Sequence, residues 1–290
     1  MVIVHLNGGL GNQLFQYAMG RRFAEVHKEK IKLDLTAFES YNLRSYKLNH
    51  FNISSDIASP YEIARMKRKC KSNEAFLSCH FDFFYYLRKC ITEKYFHFDP
   101  KILNLPNNIY LEGYWQSEKY FKDIEKVIRV EFTVSSKPDR ENSELLDKIT
   151  AVQSISLHIR RGDYVMNPAT AQLHGICPLL YYQKAIDLVS NEIEKPEVFV
   201  FSDDTEWVTN NLKLKIPMTI VSHNGPDQDY EDLRLMTNCK HHIIANSSFS
   251  WWGAWLGTNT DKMIIAPEKW FANPKLNTKD LIPESWIRIS

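Results

Sequence analysis

From residue 154 onward the chain repeats one pattern, a short apolar run followed by a longer segment with apolar residues at helical spacing. Strands fit SISLHIR (154–160), EVFVFS (197–202), PMTIVS (217–222), HHIIAN (241–246) and KMIIAP (262–267). Helical patterns fill 178–193, 204–212, 229–239 and 249–257. Apolar strands alternating with helices build a parallel sheet covered on both faces. The chain opens in the same way. Val2 to Leu6 reads as a strand, Leu14, Phe15, Ala18, Met19, Phe23 and Val26 share a helix face, and Ile31 to Leu35 reads as a second strand. This βαβ start belongs to a doubly wound sheet, so the predicted class is α/β with parallel sheets.

The length of 290 residues is about twice that of one compact domain. Residues 133–143, TVSSKPDRENS, have linker composition, which predicts domains over 1–140 and 141–290. Between 40 and 150 the pattern is less regular, with an aromatic segment at 81–86 and a strand-like NIYLEGYW at 108–115. A net charge of +1 gives no overall pull toward nucleic acid. Five dispersed cysteines show neither a disulfide framework nor zinc-ligand spacing and fit a reducing compartment. The apolar start is too short for a secretory signal, and no run approaches a membrane helix; the expectation is a cytoplasmic protein. The basic stretch 65–71 reads first as a solvated helix face, with a weak peripheral contact with anionic headgroups at the inner membrane as the alternative.

In a parallel sheet ligands bind beyond the carboxyl ends of the strands, so polar clusters there carry the functional reading. The first is the loop NGGLGNQ (7–13), whose glycines allow a backbone cradle for an anion. A dinucleotide fingerprint fails because Leu14 stands where its third glycine belongs, although Asp34 sits near the place of a ribose-binding acid. The second is HIRRGDY (158–164). His158 and Arg160 share a strand face about 6.6 Å apart, and a guanidinium fork suits a phosphate. The bland alternative is an ion pair of Arg161 with Asp163. The third, FSDD (201–204), offers Asp203 as a reader of guanine N–H groups and Asp204 as a helix cap. The fourth, NSSFSWWGAW (246–255), places Asn246, Ser248, Phe249 and Ser250 at a helix start, a phosphate site or ordinary capping. Trp251, Trp252 and Trp255 have core spacing. A DxD triplet, Asp227 and Asp229, could hold a divalent ion but sits in a polar loop where Asp is common, so no metal site is assigned.

Taken in order, GGLGNQLFQYA (8–18), HIRRGDY, HGICPLLYYQKAI (174–186), FSDD and EDLRLMTNCKHHIIANSSFSWWGAW (231–255) resemble the family 11 glycosyltransferases, the α-1,2-fucosyltransferases of bacterial type. The resemblance implies a GT-B fold of two facing Rossmann-like domains, the N-terminal one on the acceptor side. The C-terminal one would hold GDP-fucose, with no metal and no further cofactor. By that resemblance Arg160 clamps the β-phosphate, His158 and Asp203 touch the guanine side, and Ser248, Phe249 and Ser250 match the loop that closes on the diphosphate, with Asn246 beside them a further candidate for binding the donor. Asn12 would point into the cleft. The implied reaction is an inverting transfer of L-fucose to the 2-hydroxyl of a terminal β-galactoside, with Asp163 the first choice of base and His174 the second. Two other classes remain as alternatives, a different nucleotide-sugar transferase of the same fold and a non-catalytic GDP-sugar or glycan-binding protein.

Overall fold

The structure, a computed structural model, describes residues 1–40, 44–74 and 89–290. The chain forms two compact units, Met1–Thr133 with Asn277–Leu281, and Val134–Leu276 with Ile282–Ser290. The aromatic residues 81–86 and Cys79 lie outside the described residues.

The first unit holds five parallel strands, β1 (Val2–His5), β2 (Ile31–Asp34), β3 (Asp56–Ile57), β4 (Cys90–Thr92) and β5 (Ile109–Glu112), in the order β3-β2-β1-β5-β4. Its helices are α1 (Leu10–His27), the single turn α2 (Ala37–Ser40), α3 (Pro60–Glu74) and α4 (Glu125–Glu131). A Cβ on Gly20 would stand 2.1 Å from a Val4 methyl, so this glycine is what lets α1 lie directly on β1. Trp115, in the segment leaving β5, is fully buried at φ 55°, while Tyr114 is 37% exposed. Of that aromatic pair, Tyr114 is the one that presents a surface.

The second unit begins with α5 (Arg140–Ala151), capped by Asp139, whose Oδ1 accepts the Asn142 N–H at 2.9 Å. The polar run expected as a linker thus ends inside the first turn of a helix, because the same Asp and Asn that favour loops also cap. There follow β6 (Gln153–Ile159), the short α6 (Gly162–Met166) and α7 (Pro168–His174), α8 (Leu179–Glu192), β7 (Pro196–Ser202) and α9 (Thr205–Asn211). Then come β8 (Met218–Val221), α10 (Asp229–Asn238), β9 (His241–Ile243), α11 (Ser248–Leu256), β10 (Ile264–Pro267) and β11 (Ile287–Ile289). The sheet order is β11-β10-β9-β6-β7-β8, with every pairing parallel. Counted within the unit this is the 3-2-1-4-5-6 order of a Rossmann sheet, whose switch point falls between β6 and β9.

Both faces of that sheet are covered, as the apolar strands require. Ile155, Leu157 and Ile159 pack with Tyr181, Tyr182, Ala185 and Val189 of α8 on one side. Phe199 and Phe201 pack with Ile149 of α5 and Leu235 and Met236 of α10 on the other. Trp251, Trp252 and Trp255 of α11 are 0%, 0% and 4% exposed, core residues as their spacing suggests. Lys262 closes α11 by donating to the carbonyls of Ala254, Trp255 and Gly257, three groups that the helix end leaves open.

Candidate functional site at the switch point of the second sheet

The parallel register sets His158 against Phe201 and Ile159 against Ser202, so Arg160 and Asp203 leave their strands side by side. Arg160 Nη1 lies 2.8 Å from Asp203 Oδ2, and Nη2 donates to Asp163 Oδ1 at 2.5 Å. The other Asp203 oxygen accepts the Arg161 backbone N–H at 2.8 Å. A Cβ on Gly162 would fall 2.4 Å from Asp203 Oδ2, so only glycine leaves room for this carboxylate under the turn. Arg161 turns away: its Nε donates to Asp204 at 3.0 Å and its guanidinium sits 3.9 Å from the Trp207 ring centroid. Asp204 also caps α9 through the Trp207 N–H at 3.1 Å. The two cations expected from the sequence are therefore held by three carboxylates, and they do different things. Arg161 is built into the wall. Arg160 spends two of its five guanidinium donors on the carboxylates, which leaves three for other partners.

Across the switch point α11 begins after Ser247 with neither a side-chain cap nor an acidic residue in its first turn. Orphan N–H groups and the positive end of the helix dipole make such a start suited to an anion. Ser248 and Phe249 are partly exposed, and the Phe249 ring lies 5.6 Å from that of His158. His158 itself is 4% exposed, its Nδ1 has no partner, and burial holds the imidazole well below its usual pKa despite the pull of Asp203. Ser250 is fully buried, its hydroxyl turned onto the Ser247 carbonyl at 3.2 Å. Asn246 is 2% exposed, and its Nδ2 donates to the carbonyls of His174, Gly175 and Trp270 at 3.0, 3.3 and 3.1 Å. Those bonds make it a clamp on neighbouring loops.

Asn12 belongs to the first unit. Its Oδ1 accepts from Gln116 at 2.9 Å, while Gln16 bridges Asn7 and the Gly113 carbonyl, tying the glycine loop to the segment after β5. Asp34, near the position of a ribose-binding acid, is fully buried and accepts from Tyr110 at 2.6 Å and from the Thr36 hydroxyl and N–H at 2.6 and 3.0 Å. Lys67, from the basic stretch, lies 3.4 Å from the same carboxylate and over the Tyr110 ring. Part of that stretch is thus turned inward.

One cluster went unread in the sequence. At the end of β8, Asn224 Nδ2 donates to Asp232 at 2.8 Å and to Asn142 at 3.0 Å, and His223 contacts the same Asn142 oxygen at 2.9 Å. Burial, with Asp229 and Glu231 nearby, pushes the Asp232 carboxyl up to about 7 against the Asn224 bond. The polar loop before α10 was its only trace, and loops of that composition are common. Among the described residues no group of three or more His, Cys, Asp or Glu side chains is arranged to hold a metal, and no helix is long and apolar enough to cross a membrane.

The model of glycosyl transferase family 11 matches residues 1–290. The chain belongs to that family. It is 36% identical to the alpha-1,2-colitosyltransferase of Escherichia coli over 100% of this chain and 99% of that protein. Identity to the O-antigen biosynthesis glycosyltransferase WbnK of Escherichia coli is 32%, over 98% and 99%. The galactoside alpha-(1,2)-fucosyltransferase 1 of Oryctolagus cuniculus is 22% identical over 87% of this chain and 63% of its own length. Among solved structures, the NodZ alpha-1,6-fucosyltransferase soaked with GDP-fucose superposes with a TM-score of 0.53 at 14% identity, covering 88% of this chain and 91% of that one. That likeness is one of fold. The family 11 chain has the α/β, GT-B-type architecture, and it is a glycosyltransferase.

Proposed function

We propose that this family 11 enzyme transfers a 6-deoxy-L-galactose-type sugar, L-fucose in the first instance, from its β-linked GDP donor to the 2-hydroxyl of a terminal β-galactoside, with inversion to an α linkage. The observation that carries the reading is Arg160. Its guanidinium is fixed by Asp163 and Asp203 at the switch point, on whose other side α11 starts with no side-chain cap or acid of its own. As the bond to fucose breaks, negative charge grows on the GDP leaving group, and preorganised donors stabilise it where water would have to reorganise. No metal is required by this reading, because the guanidinium and the α11 amides meet the diphosphate charge.

Asp203 has both oxygens spent on Arg160 and Arg161, so it serves to orient the arginine. Reading of the guanine passes to Asp232, a half-buried carboxyl that accepts a hydrogen bond from Asn224. Guanine N1–H and its 2-amino group would supply the donors it lacks. β8 lies two strands from β6, about 10 Å, a distance that a nucleoside diphosphate spans. In this reading Asp163, whose side chain is 39% exposed beside Arg160, takes the acceptor proton.

The 36% identical colitosyltransferase favours a second donor. Colitose is L-fucose without its 3-hydroxyl, so the guanine and diphosphate contacts would serve both. A thermal-shift panel of GDP, GDP-fucose, GDP-colitose, UDP-galactose and NAD separates the readings. The GDP compounds are expected to raise the Tm and the other two to leave it unchanged. A shift with UDP-galactose and none with GDP would overturn the guanine assignment, and the better substrate of the two GDP-sugars identifies the donor.

A further inference from the structure

We propose that Tyr164 is a positioning residue for Arg160, and that His174 acts on the reaction through it, as the packing wall behind the Tyr164 ring and not as a base. The inference rests on the reading above, in which Arg160 holds the diphosphate.

Asp163 and Asp203 fix the edges of the Arg160 guanidinium, but neither fixes its plane. The Tyr164 ring does. Its centroid lies 5.4 Å from the guanidinium carbon, within cation–π range. Behind it the His174 ring stacks at 4.6 Å and 18°, and behind that Phe271 stands 5.1 Å from His174 at 48°. Arg160, Tyr164, His174 and Phe271 therefore form one column. It is bolted at two places to one residue. The Tyr164 hydroxyl donates to the Asn246 carbonyl at 3.2 Å, and the Asn246 amide holds the His174 and Gly175 carbonyls.

The C-terminal end of α7, which carries His174, is also fixed. Gly175, just past the helix, takes φ 66°, a region that favours glycine, and the Leu173 carbonyl accepts the Ala272 N–H at 3.0 Å. His174 Nδ1 is buried without a partner, and burial lowers the imidazole pKa, with Arg160 adding to it and Asp163 opposing. A neutral flat ring is what a stack beneath a guanidinium calls for. The requirement is planarity, so phenylalanine should replace histidine here and alanine should not.

The test compares His174→Phe, His174→Ala, Tyr164→Phe and Tyr164→Leu, with GDP affinity measured by calorimetry and turnover of GDP-fucose with lactose. Wild-type protein that fails to bind GDP refutes the underlying diphosphate reading, whatever the variants do. Given binding, His174→Phe is expected to keep GDP affinity, kcat and the pH profile within about threefold. His174→Ala and Tyr164→Leu are expected to lose about tenfold or more in both affinity and kcat, with Tyr164→Phe between them and wild type. Two results overturn the proposal. One is a His174→Phe protein that binds GDP normally but has lost turnover, which makes the imidazole itself the catalyst. The other is a Tyr164→Leu protein with unchanged GDP affinity and kcat.

Discussion

Replacing Arg160 by alanine lowers turnover by at least about a hundredfold, close to abolishing it. Loss of one donor aimed at developing charge commonly costs about 3 kcal/mol of barrier, which corresponds to that factor. The geometry gives the prediction a sharper form. Arg160 is fixed on two edges by Asp163 and Asp203 and on one face by Tyr164, so its free donors have one orientation. Arg160→Lys keeps the charge and loses the fork, and it should recover only part of the loss. GDP affinity should fall together with kcat, because the same donors meet the diphosphate in the ground state. The measurement is initial-rate kinetics beside GDP titration. An Arg160→Ala enzyme with over half of normal activity sinks the assignment.

The second large effect is on stability and lies in the other unit. Asp34→Ala is expected to destabilise the first unit by about 3–5 kcal/mol, since it strips a buried, fully partnered carboxylate from Tyr110, Thr36, His5 and Lys67. Burial alone would raise the pKa of this acid, but bonds from His5, Thr36 and Tyr110 outweigh it and hold the carboxyl far below the usual range. A carboxyl depressed in the folded state contributes stability at pH values above its unfolded pKa of about 3.9. That contribution is lost as pH falls from there toward the folded pKa. The gap between wild type and Asp34→Asn should therefore be full at pH 7 and narrow on acidification below about pH 4. Urea unfolding across that range checks it, and a gap independent of pH would contradict the ionic reading of Asp34.

How much of this was legible before the structure depends on where each residue finds its partners. The five strands after residue 154 and the βαβ start were readable because each lies in an apolar run flanked by helical spacing, even where the strand itself is as short as the three residues of β9. β3, β4 and β11, with two, three and three residues, were not, because none of them lies in a continuous apolar run. Arg160 and Asp203 stand out in the sequence because they sit at strand ends, where a parallel sheet gathers its ligands. What Asp203 does there is a matter of register: only the pairing of Ile159 with Ser202 brings it against Arg160. Asn246 looked like a ligand residue and acts as a clamp, because the carbonyls it holds belong to residues 174, 175 and 270. The Tyr164 column was equally hidden, since Phe271 comes from a distant loop. Asp232 was passed over because an acid in the first turn of a helix has an ordinary explanation in the dipole.

The central proposal is that Arg160, at the switch point of the second sheet, drives inverting sugar transfer from a GDP donor. The most direct test incubates the protein with GDP-β-L-fucose and lactose and follows the anomeric proton by NMR. The expected result is release of GDP with a new α-linked fucose on the 2-position of galactose, in wild type and not in Arg160→Ala. A β-linked product, or an α-linked product made equally well by Arg160→Ala, would contradict it.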